Sequence, residues 1–154
     1  MNTEELAAAI GSGVDILDFE TGSIDRSSPL LPEGVYTLEL KSIERKKNEA
    51  KKSEGLHISF ITTKDQQSVQ GDILHKGWPI REYIHLTPTG GLTADMIRKA
   101  VVKLLDGIYG KNTVEHIMPL ERHVGKVVDV KLEIDKGDEK FGASNKVKSY
   151  IIPR

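Results

Sequence analysis

Rings and cations interleave at two places in this chain. In Arg81-Glu82-Tyr83-Ile84-His85, alternation along a strand puts Arg81, Tyr83 and His85 on one side. Lys146-Val147-Lys148-Ser149-Tyr150 repeats the mixture, with Lys146, Lys148 and Tyr150 on one side. Between them in kind stands Arg45 to Glu54, a polar stretch expected to loop, which carries Arg45, Lys46, Lys47, Lys51 and Lys52. Cations that track phosphates beside flat rings that stack on bases are the chemistry of holding single-stranded nucleic acid. Arg81, Tyr83 and His85 are the first candidates, with the lysine-rich loop closing over the ligand. Each cluster also has a plainer reading, since basic loops keep proteins soluble.

Two further rings belong to the candidate set. Trp78 is the sole tryptophan and shares parity with Ile80 and Ile84, which assigns it first to the core. At a strand end beside a groove it would pack and stack at once. Phe141 lies between Lys140 and Gly142 in a loop, where it suits base stacking or covers the mouth of a barrel.

Enzyme chemistry finds little support. His57, His75, His85, His116 and His123 show no zincin spacing, and there is no cysteine to join them. Gly110-Lys111-Asn112-Thr113 resembles the end of a Walker A loop, but Leu105 stands where its first glycine belongs and Asn112 where Ser or Thr belongs. Gly90-Gly91 ahead of a helix is a strand-to-helix turn before it is a phosphate site. Ser27 and Ser28 lack a nucleophile elbow, and Asp135 and Asp138 look like a solvated hairpin. The expectation is no enzyme, no metal and no cofactor.

The elements that must position these residues follow from periodicity. A first strand is expected over Val35–Glu44, with Tyr36, Leu38 and Leu40 on one face. A second covers Leu56–Thr63, with Leu56, Ile58 and Phe60 alternating with His57, Ser59 and Ile61. A third covers Gly77–Leu86, with a short piece near Asp72–His75 ahead of it. Trp78, Ile80, Ile84 and Leu86 share its inner face, which Glu82 interrupts. Thr93 caps a helix to about Leu105, whose apolar stripe is Ile97, Val101, Leu104, Leu105 and Ile108, with Gly107 and Gly110 as stops. Asn112-Thr113-Val114-Glu115 resembles a capping box opening one short turn. Strands over Gly125–Ile134 and Ser144–Ile152 complete the chain around a charged hairpin loop, Lys136–Phe141. Three β runs, one helix and two β runs is the order of a five-stranded OB-type barrel, with the helix between strands 3 and 4. The expected fold class is therefore mainly β.

The net charge of −1 conceals an asymmetry. Residues 1–33 hold seven acids and one base, a balance of −6, while residues 34–154 hold 21 bases and 16 acids, a balance of +5. The chain divides into an acidic, partly mobile arm (1–33) and a barrel domain (34–154). The arm either screens the basic groove, or docks on a neighbouring subunit or packs on the barrel through Val14, Ile16, Leu17 and Phe19. No apolar run is long enough to span a membrane, and the start lacks the basic region of a signal peptide, so a cytoplasmic protein is expected.

Two segments add a resemblance. Leu31-Pro32-Glu33-Gly34-Val35-Tyr36 opens the domain, and Phe141-Gly142-Ala143-Ser144-Asn145-Lys146-Val147-Lys148-Ser149-Tyr150 closes it. Together they resemble small proteins of phage replication and recombination cassettes, similar in outline to OB-type single-stranded DNA-binding proteins. The resemblance implies an OB fold and a role in phage DNA replication, recombination or repair, with single-stranded DNA and replication or recombination proteins as partners. It implies the host cytoplasm as the place of work and leaves self-association open. Many such binders end in an acidic tail that recruits partners, whereas this chain ends Lys148-Ser149-Tyr150-Ile151-Ile152-Pro153-Arg154 and carries its acids at the start. The rival reading is a protein-binding OB module, a phage accessory factor or an inhibitor of a host enzyme.

Overall fold

Among the described residues, alternating apolar side chains build five long antiparallel strands, and a stripe at helical spacing builds one α-helix. The computed structural model describes residues 16–18, 20–23, 28–111, 117, 119–137 and 142–153. The strands are β1 (Gly34–Asn48), β2 (Ser53–Thr62), β5 (Pro79–His85), β6 (Val127–Asp135) and β7 (Ser144–Ile151). The short β3 (Gln66–Gln67) and β4 (Ile73–Leu74) form their own ladder, and helix α1 (Ala94–Tyr109) follows β5. The sheet order is β5-β2-β1-β6-β7, with every neighbour antiparallel. Four reversals leave β5 and β7 running the same way at the two edges. They approach each other without pairing, so the sheet is not closed into the expected barrel. Among the described residues no helix is long and apolar enough to cross a membrane.

One buried face supplies the core. Leu38, Leu40, Leu56, Ile58, Phe60, Ile80, Val128, Val130 and Leu132 point into it from the sheet, and Val101 and Leu104 from α1. Leu31 plugs it from ahead of β1 and is fully buried. Asn145 fastens that point. Its Oδ1 accepts the Leu31 N–H at 2.8 Å, and its Nδ2 donates to the Leu31 carbonyl at 2.9 Å.

Two bulges reset which residues face inward. Between Leu40 and Ser42 the β1–β2 register slips past Lys41. A one-residue insertion swaps the two faces beyond it. Ile43 therefore turns inward, while Glu44 and Lys46 turn outward. Between Lys131 and Leu132 the β6–β7 register slips past Lys148, so Leu132 opposes Val147 while Val130 opposes Tyr150. Val147 and Tyr150 thus both pack against the core. The expected grouping of Tyr150 with Lys146 and Lys148 on one outer face is corrected by this bulge.

The first hairpin also differs from expectation. β1 runs on to Asn48, so Arg45, Lys46 and Lys47 stand on a strand rather than in a loop. Cross-strand pairing of Lys46 with Gly55 and Lys47 with Glu54 overrides the weak strand preference of lysine. Only residues 49–52 turn. There the Asn48 side chain accepts the Lys51 N–H at 3.2 Å, and Lys52 adopts a left-handed φ of 50°.

Helix α1 is capped as its sequence requires, by Thr93 accepting the Met96 N–H at 3.2 Å. It passes the expected end at Leu105 and runs to Tyr109, where Gly110 takes a φ of 87°. Gly107 is not a stop. A Cβ there would lie 2.9 Å from both Tyr150 Cβ and Val128 Cγ2, so the missing side chain lets the helix lie on the sheet. The turn expected over Asn112–Glu115 lies outside the described residues.

Candidate nucleic-acid interface

The outward face of β5 and β2 assembles what the sequence kept apart. Register places His57 opposite Tyr83, Gly55 opposite His85 and Ser59 opposite Arg81. All are on the side away from the core, because Leu56, Ile58 and Phe60 take the inner parity of β2. The three rings make one cluster. Tyr83 meets His57 edge-on at a centroid distance of 4.9 Å and an angle of 78°. It meets His85 at 4.6 Å and 89°.

The ring of Tyr83 is laid across Gly55. A Cβ at Gly55 would run into Oη, Cζ and Cε2 of Tyr83. Gly55 has no positive φ, so the close approach of the ring, not the backbone conformation, accounts for the glycine. Tyr83 remains 39% exposed, enough to offer its ring to a ligand.

The hairpin overhangs this cluster and walls a groove of about 620 Å³. Its cationic rim is Lys46, Lys47 and Lys51, and its inner wall is His57, Tyr83 and His85. The hairpin is tied down next to β5: Leu86 donates its N–H to the Glu54 carbonyl at 2.9 Å, and the Glu54 N–H goes to Thr87 Oγ1 at 2.9 Å. The charge is moderate. From Glu44 to Glu54 there are five bases and three acids, and Lys46 pairs with Glu44 at 3.2 Å.

The remaining candidates separate from this site. Arg81 is exposed one register step further along the same face. Arg45 takes the opposite parity and binds the Glu54 carboxylate. Lys52 does not line the groove; it borders a neighbouring pocket of the hairpin with Glu54 and Thr87, which Lys47 also lines. Trp78 packs on the core, its backbone N–H held by Thr62 Oγ1 at 3.1 Å. Lys146 is engaged by Asp135 at 2.6 Å. That hydrogen bond holds the Asp135 carboxyl below its usual range and the Lys146 ammonium above its own. Lys148 is exposed on β7, and Phe141 lies outside the described residues.

Sequence reasoning missed His57 and Gly55. Both carried a signal: His57 has the outward parity of β2, and a glycine inside a strand marks close approach. Glu82 reads in the sequence only as an interruption. It sits at the inner parity, where burial raises its carboxyl above the usual range despite the Tyr83 N–H it accepts at 2.9 Å. Among the described residues no three His, Asp or Glu side chains come together as a metal site. No protein-family model matches this chain, and no curated protein does.

Proposed function

We propose that this chain binds single-stranded DNA without strong sequence preference, as part of phage DNA replication, recombination or repair. The carrying observation is the Tyr83 ring, laid over Gly55 between His57 and His85 under a rim of Lys46, Lys47 and Lys51. A flat ring with one exposed face stacks any base, and lysines that neutralise phosphates read no sequence. The fold supports the same reading. The order β5-β2-β1-β6-β7, with α1 between β5 and β6, matches the strand order expected of an OB barrel, with the sheet left open between the third and fifth long strands. In that arrangement the first hairpin and the third long strand border the ligand groove.

Fluorescence anisotropy with labelled oligo(dT) tests the reading. Tyr83→Ala removes the stacking face and should weaken binding by about 1–3 kcal/mol with the fold retained. Wild-type affinity in a folded Tyr83→Ala protein would remove the ring from the account.

A further inference from the structure

The groove has a neighbour. Tyr83 and His85 form a ridge, and on its other side lies a cleft of about 690 Å³ between β5, the end of β7 and the first turns of α1. This is where the sheet fails to close. Its walls include Ile84, Val147 and Ile97, an apolar lining wide enough for a flat ring. Lys99 and Lys103 stand one helical turn apart on α1, and Lys148 faces them from β7. Residues at that helical spacing are about 6 Å apart, comparable with successive phosphates of a stretched single strand.

The cleft also holds an unspent polar group. The Tyr150 hydroxyl is buried and has no hydrogen-bond partner among the described residues. Buried hydroxyls are normally paired; this one lies just beneath the cleft wall that Tyr150 helps to form, so a ligand there pairs it once the ring shifts. Glu82 lines the same cleft and adds an acceptor for the edge of a base.

We propose that this cleft is a second nucleotide subsite, continuous with the Tyr83 groove. A strand crossing the Tyr83 ridge places its next base against Ile84, Val147 and Ile97, with the base edge toward Tyr150 Oη and Glu82. Lys99, Lys103 and Lys148 take the adjoining phosphates. Lys99 is now paired with Asp95 at 3.0 Å in an exposed contact that a phosphate can displace. This rests on the single-strand reading above and adds to it a path: from the hairpin, over β5, to α1. An acidic peptide with apolar residues would also meet these lysines and this lining, but it would have no reason to depend on the ridge.

Oligomer length separates the two sites. Anisotropy titrations compare a labelled dinucleotide, short enough for the Tyr83 groove alone to hold, with an oligo(dT) of about 12 nucleotides, within the range one such domain covers. Ala100→Leu fills the cleft from α1 without changing charge, and Tyr150→Phe removes only the hydroxyl. Both should bind the short oligomer like wild type. Ala100→Leu should bind the long one about fivefold or more weakly, the loss expected for one displaced base. Tyr150→Phe should lose long-oligomer affinity in the same direction, and a merely structural role for the hydroxyl would not produce that loss. If both folded variants bind both lengths like wild type, the cleft is off the path and the proposal fails, while the Tyr83 groove stands. The proposal fails equally if an acidic peptide occupies the cleft and leaves oligomer binding unchanged. If wild-type protein binds neither length, the groove reading fails and takes this one with it.

Discussion

Gly55→Ala is the sharpest perturbation of the groove, because it touches no ligand-facing atom. The added methyl would collide with Oη, Cζ and Cε2 of Tyr83, so the ring must swing away. It then loses its edge contacts with His57 and His85. Loss of one stacking platform is worth about 1–3 kcal/mol, a five- to 150-fold rise in Kd, to order of magnitude. Stability should barely move. A strand-interior glycine replaced by alanine gains roughly 0.5–1 kcal/mol, and the lost ring contacts return about 0.5–1.5 kcal/mol. The assay pairs oligo(dT) anisotropy with urea unfolding on wild type, Gly55→Ala, Tyr83→Ala and the double variant. If the glycine acts only through the ring, the double variant binds like Tyr83→Ala alone, a complete failure of additivity. Wild-type binding by Gly55→Ala, or full additivity of the two changes, would refute the argument.

Two other outcomes follow from charge. Burial raises the Glu82 carboxyl above its unfolded value, so folding favours its protonated form and the ionised form lowers stability at neutral pH. Glu82→Gln should therefore be more stable than wild type at pH 7, with the gap closing as pH falls toward ~4.3, the usual Glu value. Urea unfolding at the two pH values measures it, and a gap that widens in acid reverses the sign of the argument. Deleting residues 1–20 removes five acids and no base. Anisotropy should show tighter oligo(dT) binding at low salt, with the gain fading as the Debye length shrinks from ~30 Å at 0.01 M to ~8 Å at 0.15 M. Equal or weaker low-salt binding by the truncated chain rules out screening by the arm.

Much of this architecture was legible because burial writes a period into a strand. Leu56, Ile58 and Phe60 alternate without a break, and they are buried as alternation requires. Thr93 announces its helix by chemistry that needs no tertiary context. Arg81, Tyr83 and His85 fall outward as parity predicts, because no bulge interrupts β5. The failures have several physical sources. A bulge leaves no mark in composition, yet it reverses every side chain beyond it, which carries Tyr150 inward and Lys46 outward. Arg45 adjoins Lys46 in sequence, and strand alternation turns it to the opposite face, where it meets Glu54. Gly107 reads as a terminator because its role depends on Val128 and Tyr150, which are distant in the chain. Whether the sheet closes depends on the spacing of β5 and β7, which no local pattern encodes.

In the proposed binding mode, Lys46, Lys47, Lys51 and their neighbours hold the phosphates of a single strand whose base lies on Tyr83. The most direct measurement is the salt dependence of oligo(dT) affinity, set beside a duplex of the same length. About 4–5 phosphate contacts at a slope of −0.7 each predict a log–log slope near −3, with the single strand bound more tightly than the duplex at every salt concentration. A slope near zero, no binding at low salt, or preference for the duplex would contradict the account.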